Sequence, residues 1–176
     1  SFAGPLLKKE IESIDLVLKN KREPVTCIIG GSKISTKINV ITRLIENINN
    51  LIIVGAMANN FFTYKDLKVG KSLIENNTEE IIEKIYERAK KNNCEIFIPE
   101  DCVVSTSLEG KGKNKDLKQI EENEIILDIG KKTIKKINQI INKSNTLLWN
   151  GPAGYFENKN FLAGTMSIAE AISKKT

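Results

Sequence analysis

Short β-branched runs that end at glycine and lead into helical stripes recur along this chain. Residues 25–29 form one such run, which ends at the glycines of 30–31, and isoleucines at helical spacing follow over 34–48. Residues 51–54 repeat the pattern, with a turn at 55–56. Strands that alternate with helices form parallel sheets with helices on both faces. We therefore predict an α/β fold with three α/β/α layers around a Rossmann-like parallel sheet.

The same periodicities continue along the rest of the chain, with no internal repeat and no interdomain linker. Residues 105–123 are polar and rich in lysine and glycine, so they predict an exposed excursion. The other expected elements are helices over 5–20, 58–66, 78–92 and 161–174, a helix marked by Ile134, Ile137 and Ile141, and strands at 96–98, 125–127 and 146–149.

Bulk composition predicts a soluble, cytoplasmic protein with no membrane partner. The 176 residues are about one domain in length, and a hydrophobic content of 40% is enough for a core. No apolar stretch reaches the roughly 18 residues of a membrane span, and residues 1–10 lack the layout of a signal peptide. We expect both termini to be cut points, because the chain begins at Ser1 and stops within a helical pattern.

The chemistry open to this chain is limited by what it lacks. Histidine is absent and the three cysteines form no CxxC pair, which excludes Ser-His and Cys-His nucleophiles, a zinc site and a disulfide framework. The net charge of +5 comes mostly from lysines that are spread along the chain and not interleaved with aromatic residues. That distribution argues against a nucleic-acid partner. Any reaction must use lysines, carboxylates, backbone dipoles or a bound metal.

A loop of nine residues, WNGPAGYFE over 149–157, follows the predicted strand at 146–149. Its two glycines and its proline form turns readily, so the chain must change direction near Asn150. In open α/β sheets, ligands bind at the carboxyl ends of the strands. The loop is closed by a carboxylate at Glu157 and therefore predicts one edge of a ligand site. The alternative is a tight loop that only reverses the chain.

Small residues recur at the ends of the predicted strands. They are Gly30-Gly31, Gly55-Ala56, Gly130 and Asn150-Gly151-Pro152. Small residues at adjacent strand ends let a flat ring approach the backbone closely, which predicts a slot for adenine. The alternative is that each glycine only supports a tight turn between a strand and a helix.

Two lysines follow the first of these glycine turns. Lys33 and Lys37 are four residues apart, so we expect them to share one face in the opening turns of a helix. Cations at a helix N-terminus oppose the helix dipole unless an anion binds there. A phosphate would accept hydrogen bonds from the backbone N–H groups and from both ammonium groups. Because lysine is abundant in the chain, chance placement is the alternative.

Two familiar phosphate-binding motifs are excluded. Residues 70–72 (Gly-Lys-Ser) resemble the end of a Walker A loop, but Lys65 stands where its first glycine belongs, and no predicted strand precedes it. A GxGxxG motif is absent. Glu100 and Asp101 are adjacent in an extended segment, so their side chains point to opposite faces, and we expect them to be solvated charges.

Five motifs, in order along the chain, resemble the phosphoglycerate kinase family. They are GGSKISTK (30–37), VGAMANNF (54–61), VGKSL (69–73), ILDIG (126–130) and WNGPAGYFE (149–157), with Phe161 and Gly164-Thr165 beyond them. AGPLLKKEI (3–11) resembles the helix that joins the two domains in that family. The resemblance implies an interdomain helix over 1–20 and a truncated carboxy-terminal, nucleotide-binding domain over 21–176. The sheet would then be incomplete at its C-terminal side.

Membership of that family would imply a glycolytic kinase. Its members transfer a phosphoryl group between 1,3-bisphosphoglycerate and ADP, giving 3-phosphoglycerate and ATP, with Mg²⁺ bound to the nucleotide. Lys33 matches the family's catalytic lysine near the transferred group, and Lys37 matches the one on the nucleotide phosphates. Glu157 matches the carboxylate that binds the ribose. The remaining nucleotide-binding positions match at Gly30, Gly31, Gly55, Gly130, Asn150, Gly151 and Pro152.

The resemblance also implies parts that this chain lacks. The family's metal-positioning aspartate belongs to a GGGDT motif that would lie beyond Thr176, so no metal ligand is predicted here. The three-carbon substrate would bind through the amino-terminal domain, and the full-length enzyme would be a monomer. We therefore expect the chain to bind ADP or ATP but to be inactive alone. The alternative is a non-catalytic nucleotide-binding or interaction module derived from that domain.

Overall fold

Strand β1 (Val25–Ile29) lies within a four-stranded sheet in the computed structural model, which describes residues 19–175. Its neighbours are β2 (Asn50–Ile53), β3 (Glu95–Phe97) and β7 (Thr146–Asn150). The order is β3-β2-β1-β7 and every pairing is parallel. All five residues of β1 are buried, as a β-branched run covered on both faces requires.

Helices cover both faces of this sheet. They are α1 (Ile38–Ile45), α2 (Met57–Tyr64), α3 (Glu79–Lys91), α4 (Lys131–Lys143) and α5 (Ala163–Ser173). Side chains alternate along β1, so Cys27 packs in one core with α1, α2 and α3, while Ile28 packs in a second core with Ile137 of α4 and Ile168 of α5. The predicted three-layer α/β/α fold with a parallel sheet is confirmed.

A second, antiparallel sheet departs from the prediction. It has the order β5-β4-β6 and is built from β4 (Asp101–Ser105), β5 (Lys113–Asp116) and β6 (Ile125–Ile129). The expectation that the strand at 125–127 joins the parallel sheet is wrong. It pairs with β4, a strand that the pattern did not predict because it follows a proline and has polar residues at both ends.

The segment 105–123 is not simply an exposed excursion. It contains β5 and a 3-10 turn over Leu117–Gln119. Leu117 and Ile120 are buried in the same core as α1 to α3. The lysines and glycines before β5 are exposed for the most part, so the prediction holds for that part of the segment. It is wrong after β5, where the two apolar side chains are buried.

Asp101 is not a solvated charge, and that prediction is wrong. Its carboxylate is fully buried and accepts hydrogen bonds from the backbone N–H groups of Thr133 at 2.8 Å and Lys132 at 3.1 Å. The Thr133 hydroxyl and the Asn114 amide donate to it as well, at 2.7 and 3.0 Å. Asp101, which lies in β4, therefore accepts hydrogen bonds from backbone N–H groups that the first turn of α4 would otherwise leave unpaired. Glu100 is exposed, as predicted.

The predicted interdomain helix over 1–20 lies almost entirely outside the described residues, and the domain boundary at residue 21 stays a prediction. Within 19–175, no helix has both the length and the apolar character needed to span a bilayer.

Candidate functional site

The carboxyl ends of β2, β1 and β7 come together at one edge of the parallel sheet. The N–H group of Gly30 donates to the Asn150 carbonyl at 2.8 Å, and that of Gly55 donates to the Ala153 carbonyl at 3.1 Å. The Gly31 carbonyl accepts from the first residue of α2 at 2.8 Å. The three strand-end turns that the sequence predicts are therefore bonded to one another through their backbones.

Glycine is required at two of these turns for steric reasons. Gly55 has a φ of +69°, and a Cβ atom there would lie 2.8 Å from the Gly31 nitrogen. A Cβ atom at Gly30 would collide with the Pro152 carbonyl. Both positions support close backbone packing, so the turn-forming role of glycine that the sequence left open is present here. As a result, Gly30, Gly31 and Gly55 form a rim at this edge of the sheet that exposes backbone and no side chains.

A cavity of about 420 Å³ opens beside this rim. Four predicted site residues line it: Gly31, Gly55, Pro152 and Glu157. Its remaining walls are mostly apolar and come from α2, β6 and the loop after β7, with Asn59, Phe62, Leu73, Asp128, Ala153, Gly154, Tyr155 and Phe156 among them. The cavity is open at the Glu157 side, because that residue is exposed. Its shape and lining suit a flat, largely apolar ring with a polar end toward solvent.

Lys37 lies next to this cavity. It is the residue before α1, it is half-buried, and its Nζ donates a hydrogen bond to the Asn150 Oδ1. The Lys37 Cε lies 3.6 Å from the Cβ position of Gly31, which lines the cavity. Lys33 is exposed in the preceding turn. The prediction that both lysines share a helix face is wrong, because α1 begins only at Ile38.

The turn that carries these lysines is held by hydrogen bonds to Glu75. The backbone N–H of Ser35 donates to Glu75 Oε2 at 3.1 Å, and the Ser35 hydroxyl donates to Oε1 of the same carboxylate. These two hydrogen bonds lower the pKa of Glu75. The N-terminus of α1 has no side-chain cap and no acidic residue in its first turn. The positive end of α1 and the ammonium group of Lys37 therefore lie together, with no acidic side chain in the first turn of the helix.

Three other predicted site residues do not line the cavity: Gly130, Asn150 and Gly151. Asn150 and Gly151 lie behind the rim, where Gly151 has a φ of +89° and its carbonyl accepts a hydrogen bond from the Trp149 indole at 2.7 Å. Gly130 is the residue before α4, and a Cβ atom there would collide with the Asp101 carboxylate. It follows a strand of the antiparallel sheet, so it does not join the other three glycine turns.

Asp128 is a site residue that the sequence reasoning missed. It lies in β6, is 3% exposed, and forms part of the cavity wall. Burial raises its pKa to about 6, and hydrogen bonds from the backbone N–H groups of Gly164 and Ile129 offset part of that rise. The sequence pattern that could have indicated Asp128 is a single carboxylate inside the apolar run ILDI, because burying a charge is costly unless hydrogen-bond donors compensate for it.

Two other features limit the chemistry of this site. Burial raises the pKa of the Cys102 thiol, which lines the cavity, to about 12, so it stays protonated and is a poor nucleophile. Within residues 19–175, no three Cys, Asp or Glu side chains come together as a metal-binding group. The site can therefore offer backbone groups, apolar walls, ammonium groups, the exposed carboxylate of Glu157 and the buried carboxylate of Asp128.

A parallel sheet with helices on both faces, and a cavity at the carboxyl ends of its strands, place the chain in the open-sheet α/β class. The family model for phosphoglycerate kinase matches residues 1–176, so the chain belongs to the phosphoglycerate kinase family.

Relatives with known sequences and structures agree with this membership. The phosphoglycerate kinase of Wolbachia pipientis wMel is 40% identical over 177 residues, which cover 100% of this chain and 44% of the relative. The structure of phosphoglycerate kinase from Coxiella burnetii matches with a TM-score of 0.88 at 34% identity, over 98% of this chain and 45% of that one. The enzyme from Pyrococcus horikoshii OT3 matches with a TM-score of 0.73 at 26% identity, over 96% and 44%. The chain thus spans less than half the length of these relatives.

Proposed function

We propose that this chain supplies the ADP/ATP-binding half of a phosphoglycerate kinase. The full reaction would transfer a phosphoryl group between 1,3-bisphosphoglycerate and ADP, giving 3-phosphoglycerate and ATP. The proposal extends to the cellular setting of the family, which is glycolysis in the cytoplasm, and to a monomeric full-length enzyme.

One observation carries the proposal: the cavity and Lys37 meet at Gly31. Gly31 lines the cavity and its Cβ position is 3.6 Å from the Lys37 Cε. A nucleoside in the cavity would therefore have its phosphates directed toward a half-buried ammonium group and toward the N-terminus of α1. The exposed Glu157 lies at the open end, where its carboxylate would accept hydrogen bonds from the ribose hydroxyls.

The two lysines would have different tasks. Lys37 is held by Asn150 and would bind the phosphates of the resting nucleotide. Lys33 is exposed and would be free to move toward the group in transfer. Transition states of phosphoryl transfer are loose and carry their charge on non-bridging oxygens, so cations at these positions stabilise them without covalent chemistry. The lack of histidine is compatible with such a mechanism.

Magnesium would enter with the nucleotide in this proposal. Among residues 19–175, no three Cys, Asp or Glu side chains form a group that could hold the ion, so no step is assigned to a metal held by this chain. The basic site for the three-carbon substrate would come from a second domain. Closure of two domains around both substrates excludes water from the reaction. We therefore expect this chain alone to bind nucleotide weakly and to have no turnover.

Calorimetric titration of the 176-residue chain with MgADP tests the binding half of the proposal. A coupled assay with 3-phosphoglycerate and MgATP on the same preparation tests the prediction of inactivity. Absence of heat at high MgADP concentration would remove the nucleotide site. Substantial turnover would show that the residues needed for catalysis are all within this chain.

A further inference from the structure

Asp128 is a buried carboxylate for which the proposed function has no use. Its Oδ2 accepts a hydrogen bond from the N–H group of Gly164 at 2.8 Å, and its Oδ1 accepts one from the N–H group of Ile129 at 2.8 Å. Gly164 is the second residue of α5. The carboxylate therefore joins the end of β6 to the first turn of α5.

The loop after β7 is fitted around the same carboxylate. A Cβ atom at Gly154 would lie 2.5 Å from the Asp128 Oδ1, and one at Gly164 would collide with that atom. The next residue of the loop, Tyr155, donates its N–H to the carbonyl of Leu127 at 2.7 Å. Leu127 therefore holds the loop through a backbone hydrogen bond, and the Asp128 carboxylate packs closely against Gly154 of the same loop.

The loop and β6 are also part of the wall of the cavity. Gly154, Tyr155 and Glu157 of the loop line it, together with Asp128 itself. A nucleoside bound in the cavity would contact backbone positions whose placement depends on this carboxylate.

The charge of Asp128 can change near neutral pH. Its pKa is about 6, raised by burial. The charged side chains of β4, of the segment between β7 and α5, and of α5 are Asp101, Glu157, Lys159 and Glu170, and none of these contributes to the shift. At about pH 7.5 the carboxylate is ionised, and the hydrogen bond from Gly164 is charge-assisted and about twice as strong as a neutral one. That bond weakens when the carboxylate is protonated.

We propose that Asp128 is a positioning residue for the nucleoside: its carboxylate packs against Gly154 in one wall of the cavity and holds the start of α5, where the Thr165 hydroxyl accepts a hydrogen bond from the N–H group of Ala153 in the same wall. This inference rests on the proposed function, because the nucleoside is its ligand. Protonation loosens the wall, so nucleoside affinity falls as the pH drops through the pKa of this group.

Adenosine is the probe for this inference, because it carries no phosphate that would titrate in the same range. The 176-residue chain is titrated calorimetrically at about pH 7.5 and about pH 5.5. We expect the Kd of the wild-type chain to rise about fivefold at the lower pH, which corresponds to one hydrogen bond weakened by about 1 kcal/mol.

The Asp128→Asn variant keeps the size of the side chain but turns one acceptor into a donor that faces an N–H group. Its Kd should be about fivefold higher at pH ~7.5 and should not change with pH. Glu170→Gln removes an exposed carboxylate from α5 and is the matched control. This control should bind adenosine as the wild-type chain does at both pH values.

A second measurement uses only the wild-type chain and covers the case in which Asp128→Asn does not fold. The NMR signal of the Gly164 amide should titrate with the same midpoint as the adenosine Kd. The inference is overturned if that amide does not titrate with the affinity, or if Asp128→Asn binds as wild type at both pH values. If the wild-type chain binds no adenosine at about pH 7.5, the proposed function fails, and this inference fails with it.

Discussion

The Lys37 Nζ donates a hydrogen bond to the Asn150 Oδ1 and so joins the turn before α1 to the carboxyl end of β7, 113 residues away in sequence. A lysine on a free surface loses about 2 kcal/mol of rotamer entropy when a ligand orders it. Lys37 is already ordered beside the cavity, so binding of a phosphate costs less of that entropy. This pair therefore holds a positive charge beside the cavity.

Replacing Lys37 with alanine should weaken MgADP binding about tenfold or more. A hydrogen bond to a charged group contributes about 1.5–3 kcal/mol, and each 1.4 kcal/mol is a factor of about ten in Kd. Adenosine affinity should stay nearly constant, because adenosine has no phosphate. Calorimetry with both ligands measures the difference. Lys136→Ala, at an exposed position of α4, is the control. Equal MgADP affinity in the two variants would make Lys37 an ordinary surface lysine.

Glu157→Ala should reduce affinity for adenosine but not for 2′,3′-dideoxyadenosine. The carboxylate lines the open end of the cavity, where it would accept hydrogen bonds from the ribose hydroxyls that only adenosine carries. We expect a change of about tenfold in the Kd of adenosine, the value of one charge-assisted bond of about 1.4 kcal/mol. Titration of both ligands into the wild-type chain and the variant gives the coupling free energy between Glu157 and the ribose hydroxyls. An equal loss of affinity for the two ligands would mean that Glu157 maintains the conformation of the loop and does not bind the ribose.

Gly30→Ala should destabilise the chain by about 1–3 kcal/mol, because the added methyl group collides with the Pro152 carbonyl and the strand end cannot move without breaking its bond to Asn150. The midpoint of urea unfolding measures the change. Ser32→Ala, an exposed position in the same turn, should leave that midpoint unaltered. A Gly30→Ala chain as stable as wild type would mean that the three strand ends separate easily.

Asp101→Asn should lower the free energy of unfolding by about 2–4 kcal/mol at neutral pH, since Asn cannot accept all the hydrogen bonds that reach this buried carboxylate. Burial raises the pKa of Asp101, but its hydrogen bonds lower it by more, so on balance it lies below the ordinary value of 3.8. The stabilisation is thus present above 3.8 and is lost as the pH falls through the lower folded value. Urea unfolding at several pH values measures it.

Glu100→Gln serves as the control for this prediction, because the exposed neighbour has the same charge and no buried carboxylate oxygen. It should unfold as wild type does at neutral pH. An Asp101→Asn variant with the same unfolding midpoint as this control would show that α4 does not need a carboxylate at its first turn.

Much of the fold is predictable from local pattern. The strand expected at 25–29 is β1, and the helix expected at 78–92 is α3 with one residue fewer at each end. The second sheet is not predictable in this way. Nothing in the apolar run of β6 distinguishes a parallel strand from an antiparallel one, because the choice of partner depends on β4, more than twenty residues earlier.

The candidate site divides in the same manner. Gly31, Gly55, Pro152 and Glu157 line the cavity, and their roles in nucleotide binding stay a prediction. The helix face expected for Lys33 and Lys37 is absent, because Lys33 lies in a turn that precedes α1.

Local periodicity was enough for the strands of the parallel sheet and the helices that cover it, since each depends on residues within a few positions of one another. Contacts between distant residues decided the state of Asp101 and Asp128, two of the buried carboxylates. Asp101 is stabilised by Thr133 and Asp128 by Gly164, each more than thirty positions away. A carboxylate is buried only where donors converge on it, and that convergence exists only in the folded chain.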